Sequence, residues 1–146
     1  MNNDERINLV APCGIDCGIC ELHTCTEGSE LYNSMIARGI PKEKIPCSGC
    51  RAVEGNCPVL PAVCTTYTCV DGKKKEFCFA CDEFPCAMLQ PSSDRANILP
   101  HNLMVFNLCS IKRMGVENFI QASLMIKQKY YKGKMTVGKG PQLSEG

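Results

Sequence analysis

A chain of 146 residues with a formal net charge of +1 fits one ordinary domain or two very small ones. Thirteen cysteines, no Trp, five Phe and four Tyr exclude a fold carried by large aromatic anchors and point to one stapled by disulfides or metals. No run approaches the ~18 apolar residues of a membrane span, and the opening MNNDERINLVAPCG has neither the basic nor the apolar segment of a secretory leader, so the expected setting is the reducing cytoplasm with no membrane partner.

In chain order, SELYNSMIARGI (29–40) predicts a short helix. Ser29 is its N-cap, Leu31, Met35 and Ile36 share a face, and Gly39 ends it before Pro41. PCAMLQ (85–90) predicts one or two turns started by Pro85, and LQPSSDRANILP (89–100) is a break rich in Pro, Ser and Asn. Residues 101–114 place Leu103, Phe106 or Asn107, Cys109 or Ser110, and Met114 near one stripe. Gly115 interrupts, and 116–131 resumes with Val116, Phe119, Ile120, Leu124 and Lys127 at helical spacing. The expected fold class is mainly α plus irregular: a Cys-rich, metal-stabilised part over 10–90, a helical hairpin over 91–131 packed on it, and an extended tail over 132–146, together one compact domain.

Charge is divided in the same way. Residues 1–91 carry 8 Lys/Arg against 12 Asp/Glu, a net −4, and residues 92–146 carry 8 against 3, a net +5. This basic excess is weaker than a nucleic-acid footprint requires. Nucleic acid is therefore a disfavoured partner, and an unidentified protein partner is left open. Lys127, Lys129, Lys132 and Lys134 interleave with Tyr130 and Tyr131; the preferred reading is a polar helix end with cations near its C-terminus, with base stacking as the alternative.

The cysteine spacings carry the chemistry. Cys17–Cys20–Cys25 and Cys78–Cys81–Cys86 are both C-x2-C-x4-C, Cys47–Cys50 is a third C-x2-C, and Cys64–Cys69 repeats the x4 gap. A C-x2-C turn brings two sulfurs to two corners of a tetrahedron around one Zn²⁺, at about 2.3 Å each. Gly14, Gly18 and Gly49 sit in or beside these tight turns. If each knuckle serves a different ion, the six others (Cys13, Cys25, Cys57, Cys64, Cys69, Cys86) supply two per site and give three closed four-cysteine sites. A structural Zn²⁺ contributes roughly 10–16 kcal/mol of apparent binding energy to a small domain. The odd cysteine total also fits a disulfide framework poorly. Cys109, on a helix face, reads as a small buried hydrophobe.

An iron–sulfur cluster is the alternative cofactor. Cys13-x3-Cys17-x2-Cys20 has the radical SAM spacing, but the chain shows no strand–helix alternation and is too short for that barrel. Cys57-Pro58 imitates the end of a ferredoxin motif, but the gap before it is x6 rather than x3.

The ordered set APCGIDCGIC, IPCSGCR, a C-x4-C and CFACDEFPC, with IKRMGVENFI in the tail, resembles a bacterial and archaeal family known as domain of unknown function 3795. The similarity runs over about residues 10–130. It implies zinc binding with no activity assigned, and carries the family's cysteines onto Cys13, Cys17, Cys20, Cys47, Cys50, Cys57, Cys64, Cys69, Cys78, Cys81 and Cys86. Two departures stand out: CELHTC (20–25) where members read Cys-Pro-Ala-Tyr, which puts Cys25 outside the family set, and a longer gap between Cys57 and Cys64. Eleven ligands fill two closed sites and leave a third one short, which His23 or an open position would complete.

The remaining candidates have plain readings. His101 is a surface residue at a helix start. Asp82 and Glu83 are solvated loop charges, and Lys73, Lys74 and Lys75 form a solvated turn with compensation of nearby thiolate charge as a second role. No phosphate loop, Ser–His–Asp order or nucleophile elbow occurs. The expected function is zinc binding at two or three Cys-rich structural sites, with binding favoured over catalysis and the biological role open. An iron–sulfur or open-site metal redox enzyme is the rival.

Overall fold

The computed structural model of the protein describes residues 1–144. Helix α1 (Asn3–Asn8) opens the chain, capped by the Asn2 side chain on the Glu5 N–H and by Glu5 in return. Helices α2 (Glu21–Thr24), α3 (Glu30–Ala37) and α4 (Thr65–Gly72) come next, separated by loops and single 3₁₀ turns at Cys17–Ile19, Lys42–Lys44, Cys78–Ala80 and Ala87–Leu89. After a further turn at Pro100–Leu103 come α5 (Met104–Met114) and α6 (Val116–Lys132), then a hairpin of β1 (Lys134–Thr136) and β2 (Gly140–Gln142). The structure is mostly helical, with short helices and 3₁₀ turns in the N-terminal part and its longer helices at the C-terminal end, in agreement with the expected fold class.

Helix α3 forms where its signals place it, with the Ser29 hydroxyl accepting from the Tyr32 N–H at 3.2 Å. Its inward face is Tyr32 and Met35, whereas Leu31 is exposed. Gly115, at φ 85°, separates α5 from α6. On α5 the expected stripe takes its second alternatives, Asn107 and Ser110, beside Leu103, and on α6 it keeps Phe119 but not Leu124. Asn107, Leu108, Ser110 and Ile111 face inward on α5, Phe119 and Ser123 on α6, while Phe106, Cys109 and Leu124 are exposed. The expectation of a buried Cys109 is thus corrected: Leu108 and Ile111 fill that side of the core. Helices α1, α2 and α4 add to the expected elements. The 132–146 tail contains the β1–β2 hairpin, and its last two residues lie outside the described part.

Two apolar clusters are present. The larger joins Val10, Val70, Phe77, Cys78, Leu89, Leu108, Ile111 and Phe119, so α4, α5 and α6 share it with the cysteine-rich loops. The smaller holds Cys25, Tyr32, Met35 and Ile45. Between the loops the backbone itself provides ties: Cys17 N–H donates to Leu9 O at 2.8 Å, Cys47 N–H to Leu22 O at 2.7 Å, and Cys78 N–H to Pro12 O at 2.9 Å. Arg51 bridges Val10 O and Glu76 O, with its guanidinium 5.0 Å above the Phe77 ring.

The polar centre of the fold is Asp16. It is 4% exposed and receives Arg6 through both carboxylate oxygens (2.8 and 2.6 Å), the Gly18 N–H (2.9 Å) and the Ser123 hydroxyl (2.6 Å). A Cβ on Gly18 would lie 2.5 Å from the Arg6 side chain, so a larger residue there would displace the guanidinium. Gly14 is required: its φ is +89°, and a Cβ would meet Leu108 Cγ at 2.9 Å. Asp16→Ala would leave a half-buried guanidinium and a buried hydroxyl without their partner. We expect a loss of about 3–5 kcal/mol, the usual consequence of breaking a buried ion pair from one side. Urea unfolding checks it, and an unchanged midpoint would remove Asp16 from its organising role.

Candidate metal centre

All thirteen cysteines are free thiols. Two knuckles, Cys17/Cys20 and Cys47/Cys50, line one cavity of about 50 Å³, joined there by Cys57 and His23. A second cavity of about 110 Å³ is bordered by Cys69, Cys78, Cys81 and Cys86, with Phe77, Phe84, Met88 and Leu89 as apolar walls. Cys13 and Cys64 line neither cavity, but lie near sulfurs of both. Two of the three knuckles thus border the same cavity. Among the described residues, no three Cys, His, Asp or Glu side chains are drawn together as a formed metal-binding group. The thiols stand as walls around the two cavities.

Cys25 is apart from the others. It is buried in the smaller apolar cluster, and its thiol donates to Leu22 O at 3.6 Å. Cys109 is exposed on α5. His23 faces the first cavity with Nδ1 2.6 Å from Cys47 O. Because a carbonyl only accepts, the proton belongs on Nδ1, which leaves Nε2 with its lone pair free. His101 bonds Ser92 O at 2.9 Å and lines neither cavity.

The donor set suits a metal held by thiolates. Two sulfurs accept the backbone N–H two residues on, Cys47 from Gly49 and Cys81 from Glu83, both at 3.4 Å, and the Ile15, Leu22 and Val59 N–H groups act to lower the thiols of Cys13, Cys20 and Cys57 against their burial. The Cys50 N–H acts in the same direction on Cys17. A neutral thiol is a weak acceptor, whereas a thiolate uses such donors well. Cations are placed to match: Lys127 near Cys20, Lys44 near Cys57, Arg51 near Cys50, and Lys73 with Nζ 3.2 Å from Cys81 Sγ. Lys73 also pairs with Glu83 at 2.8 Å, so this lysine takes the charge-compensating role and Glu83 is its partner. The Lys127 ammonium bonds Ile19 O and Glu21, and the Tyr130 hydroxyl donates to Ala96 O at 3.1 Å. Both therefore pack the helix onto the loops.

Burial governs the thiols while they carry no metal. It pushes Cys13, Cys17 and Cys50 up to about 12 and Cys78 up to about 11, from an ordinary 9.0. Cys81 goes the other way, held down by the Glu83 N–H and then by Lys73. In the unfolded chain the buried thiols would ionise near 9.0, whereas in the fold they retain their protons to higher pH. Stability from this source is complete below pH 9 and is lost as pH rises toward 11–12. The reduced, metal-free protein should therefore show a urea midpoint that falls steadily above about pH 9; a flat profile to about pH 11 would contradict the burial of these groups.

No curated protein and no solved structure matches the chain. The sequence profile of one family, described as a protein of unknown function (DUF3795), matches residues 9–91, which spans both cavities and stops before α5 and α6. By that match, over more than half of its length, the chain belongs to the DUF3795 family.

Proposed function

We propose that the protein binds zinc at its two thiol-lined cavities, and that the ions serve as scaffold for a domain with little continuous core. The observation that carries this reading is the gathering of thiols around two cavities, Cys17, Cys20, Cys47, Cys50 and Cys57 with His23 at one and Cys69, Cys78, Cys81 and Cys86 at the other. At Cys47 and Cys81 the N–H two residues on donates to the sulfur at 3.4 Å, a contact that prepares a sulfur to be a thiolate. Cys17, Cys20, Cys47, Cys50 and Cys57 supply more than four donors at the first cavity, and Cys69, Cys78, Cys81 and Cys86 supply four at the second. Zinc bound there would hold the thiols deprotonated, so that loading releases protons.

The role proposed is structural rather than catalytic, in a cytoplasmic setting. No helix among the described residues is long and apolar enough to cross a membrane. Helices α5 and α6 cover the loops with one face and expose Phe106, Leu124 and Met125 on the other, an area available to a protein partner. An iron–sulfur redox protein is the second reading, favoured by the greater volume and apolar walls of the second cavity.

Protein purified without oxygen should contain at least two zinc ions per chain and show no visible absorption band. Iron with a matching amount of sulfide would replace the zinc reading by the iron–sulfur one. Stripping the ions with a chelator should abolish the cooperative thermal transition, because each structural ion contributes on the order of 10 kcal/mol to folding. A transition unaffected by metal removal would defeat the scaffold role.

A further inference from the structure

We infer that the hairpin at the end of α6 docks on an anionic lipid surface, independently of any metal the cysteines hold. Its charge, its exposed apolar tip and its fixed attachment carry the inference. From residue 118 to residue 144 the chain has five lysines and no Asp or Glu. Lys127 is engaged by Glu21, but among the described residues Lys129, Lys132, Lys134 and Lys139 take part in no ion pair. Lys132, Lys134 and Lys139 are exposed. Between the last two stand Met135, 70% exposed, and Val137, 95% exposed at the turn.

The hairpin is a built element. Lys134 lies opposite Gln142 and Thr136 opposite Gly140, and the Lys139 N–H closes the turn on Thr136 O at 2.9 Å. At its base the Gly133 N–H donates to Lys129 O at 2.9 Å, and a Cβ on Gly133 would meet Pro141 Cβ at 2.9 Å. The hairpin is therefore seated against the end of α6, while residues 134–139 are all exposed.

The chemistry of the tip identifies the occupant. Unpaired ammonium groups complement a surface of negative charge. A nucleic-acid strand needs aromatic faces on which its bases stack, and the nearby tyrosines are occupied. The Tyr130 hydroxyl bonds Ala96 O, and its ring meets Tyr131 edge to face at 4.8 Å. An aliphatic tip flanked by lysines suits the headgroup region instead: Met135 and Val137 enter the boundary with the acyl chains, and the ammonium groups stay at the phosphates. A lipid surface accepts a protruding tip without the matching pocket that a protein would need. The contact is peripheral. The expectation of no membrane partner rested on the lack of a span, and no described helix is long and apolar enough to be one.

Cosedimentation of the full chain with vesicles of mixed phosphatidylserine and phosphatidylcholine, compared with phosphatidylcholine alone, tests the inference. Binding to the mixed vesicles, weakened by salt and absent with phosphatidylcholine, is expected. Each lysine near an anionic surface contributes about fivefold, so Lys132→Gln, Lys134→Gln and Lys139→Gln together should weaken partitioning on the order of 100-fold. Met135→Ser with Val137→Ser should weaken it about 10-fold. Lys112→Gln with Arg113→Gln, exposed on α5, should leave it unchanged. No binding to the mixed vesicles overturns the inference, as does equal binding to the neutral ones. An equal loss from the α5 variant would reduce the effect to overall charge and overturn the role of the hairpin. Capture of oligouridylate with no affinity for vesicles would assign the hairpin to nucleic acid and overturn it as well.

Discussion

The carboxylate of Asp16 is the constraint on which the rest of the arrangement depends. It lies one residue before the first knuckle, and its partners come from α1, from the knuckle turn at Gly18 and from α6 at Ser123. Burying a carboxylate is costly unless every lone pair is engaged by a charge or a donor, and here Arg6 takes both oxygens. Because the guanidinium lies over Gly18, the turn that carries Cys17 and Cys20 cannot move independently of α1. A loop region without regular secondary structure thus gains a fixed origin. The cross-links from Leu9 to Cys17 and from Pro12 to Cys78 propagate that origin to both cavities.

The second constraint is electrostatic. Thiols gathered in a small volume resist ionisation, through lost hydration first and mutual repulsion as well, as the upward shifts at Cys13, Cys17 and Cys50 show. Such a cluster is quiet while neutral, and becomes a strong ligand set only when a cation offsets the combined charge. The protein supplies part of that offset in advance, with Lys44, Arg51, Lys73 and Lys127 beside different sulfurs. This gives the uneven charge of the chain a local meaning. Lys127 belongs to the basic C-terminal part, and it reaches back to the acidic half at Ile19 and Glu21.

Much of this is legible in the residues. The knuckles, the capped helix at 29–40 and the break at Gly115 are written in spacing, and local signals of that kind survive folding. The Asn2–Glu5 capping box is a local signal too, but the polar opening around it has no apolar period to announce a helix. Helix α4 is not legible: TTYTCV is rich in β-branched residues, and no side chain caps its start at Cys64. It is held by tertiary contact, with Val70 in the core and Cys69 at the second cavity. The choice of Asn107 over Phe106 on α5 has the same origin. Gly14 at positive φ admits Leu108 and accepts the Asn107 amide, so a loop distant in sequence decides which side of α5 turns inward.

The grouping of the cysteines is the clearest case of what spacing omits. A C-x2-C pair fixes the distance between two sulfurs, but not which other pair it faces. That is settled by the cross-links between loops, each a single backbone bond or an arginine, and none has a sequence signature. Cys25 repeats the x4 gap of Cys86, yet the two have opposite surroundings: Tyr32, Met35 and Ile45 enclose one, while the other borders a cavity with three more thiols. The difference originates in the segment C-terminal to each cysteine. After Cys25 the chain enters α3, whose apolar face must be covered, and the thiol is small and soft enough to help cover it. After Cys86 comes a single turn ending in fully buried Leu89, which anchors the segment to the main core and leaves the sulfur at the cavity edge. Identical spacing thus yields a packing residue in one place and a candidate ligand in the other, because the apolar demand of the next element decides where the sulfur goes.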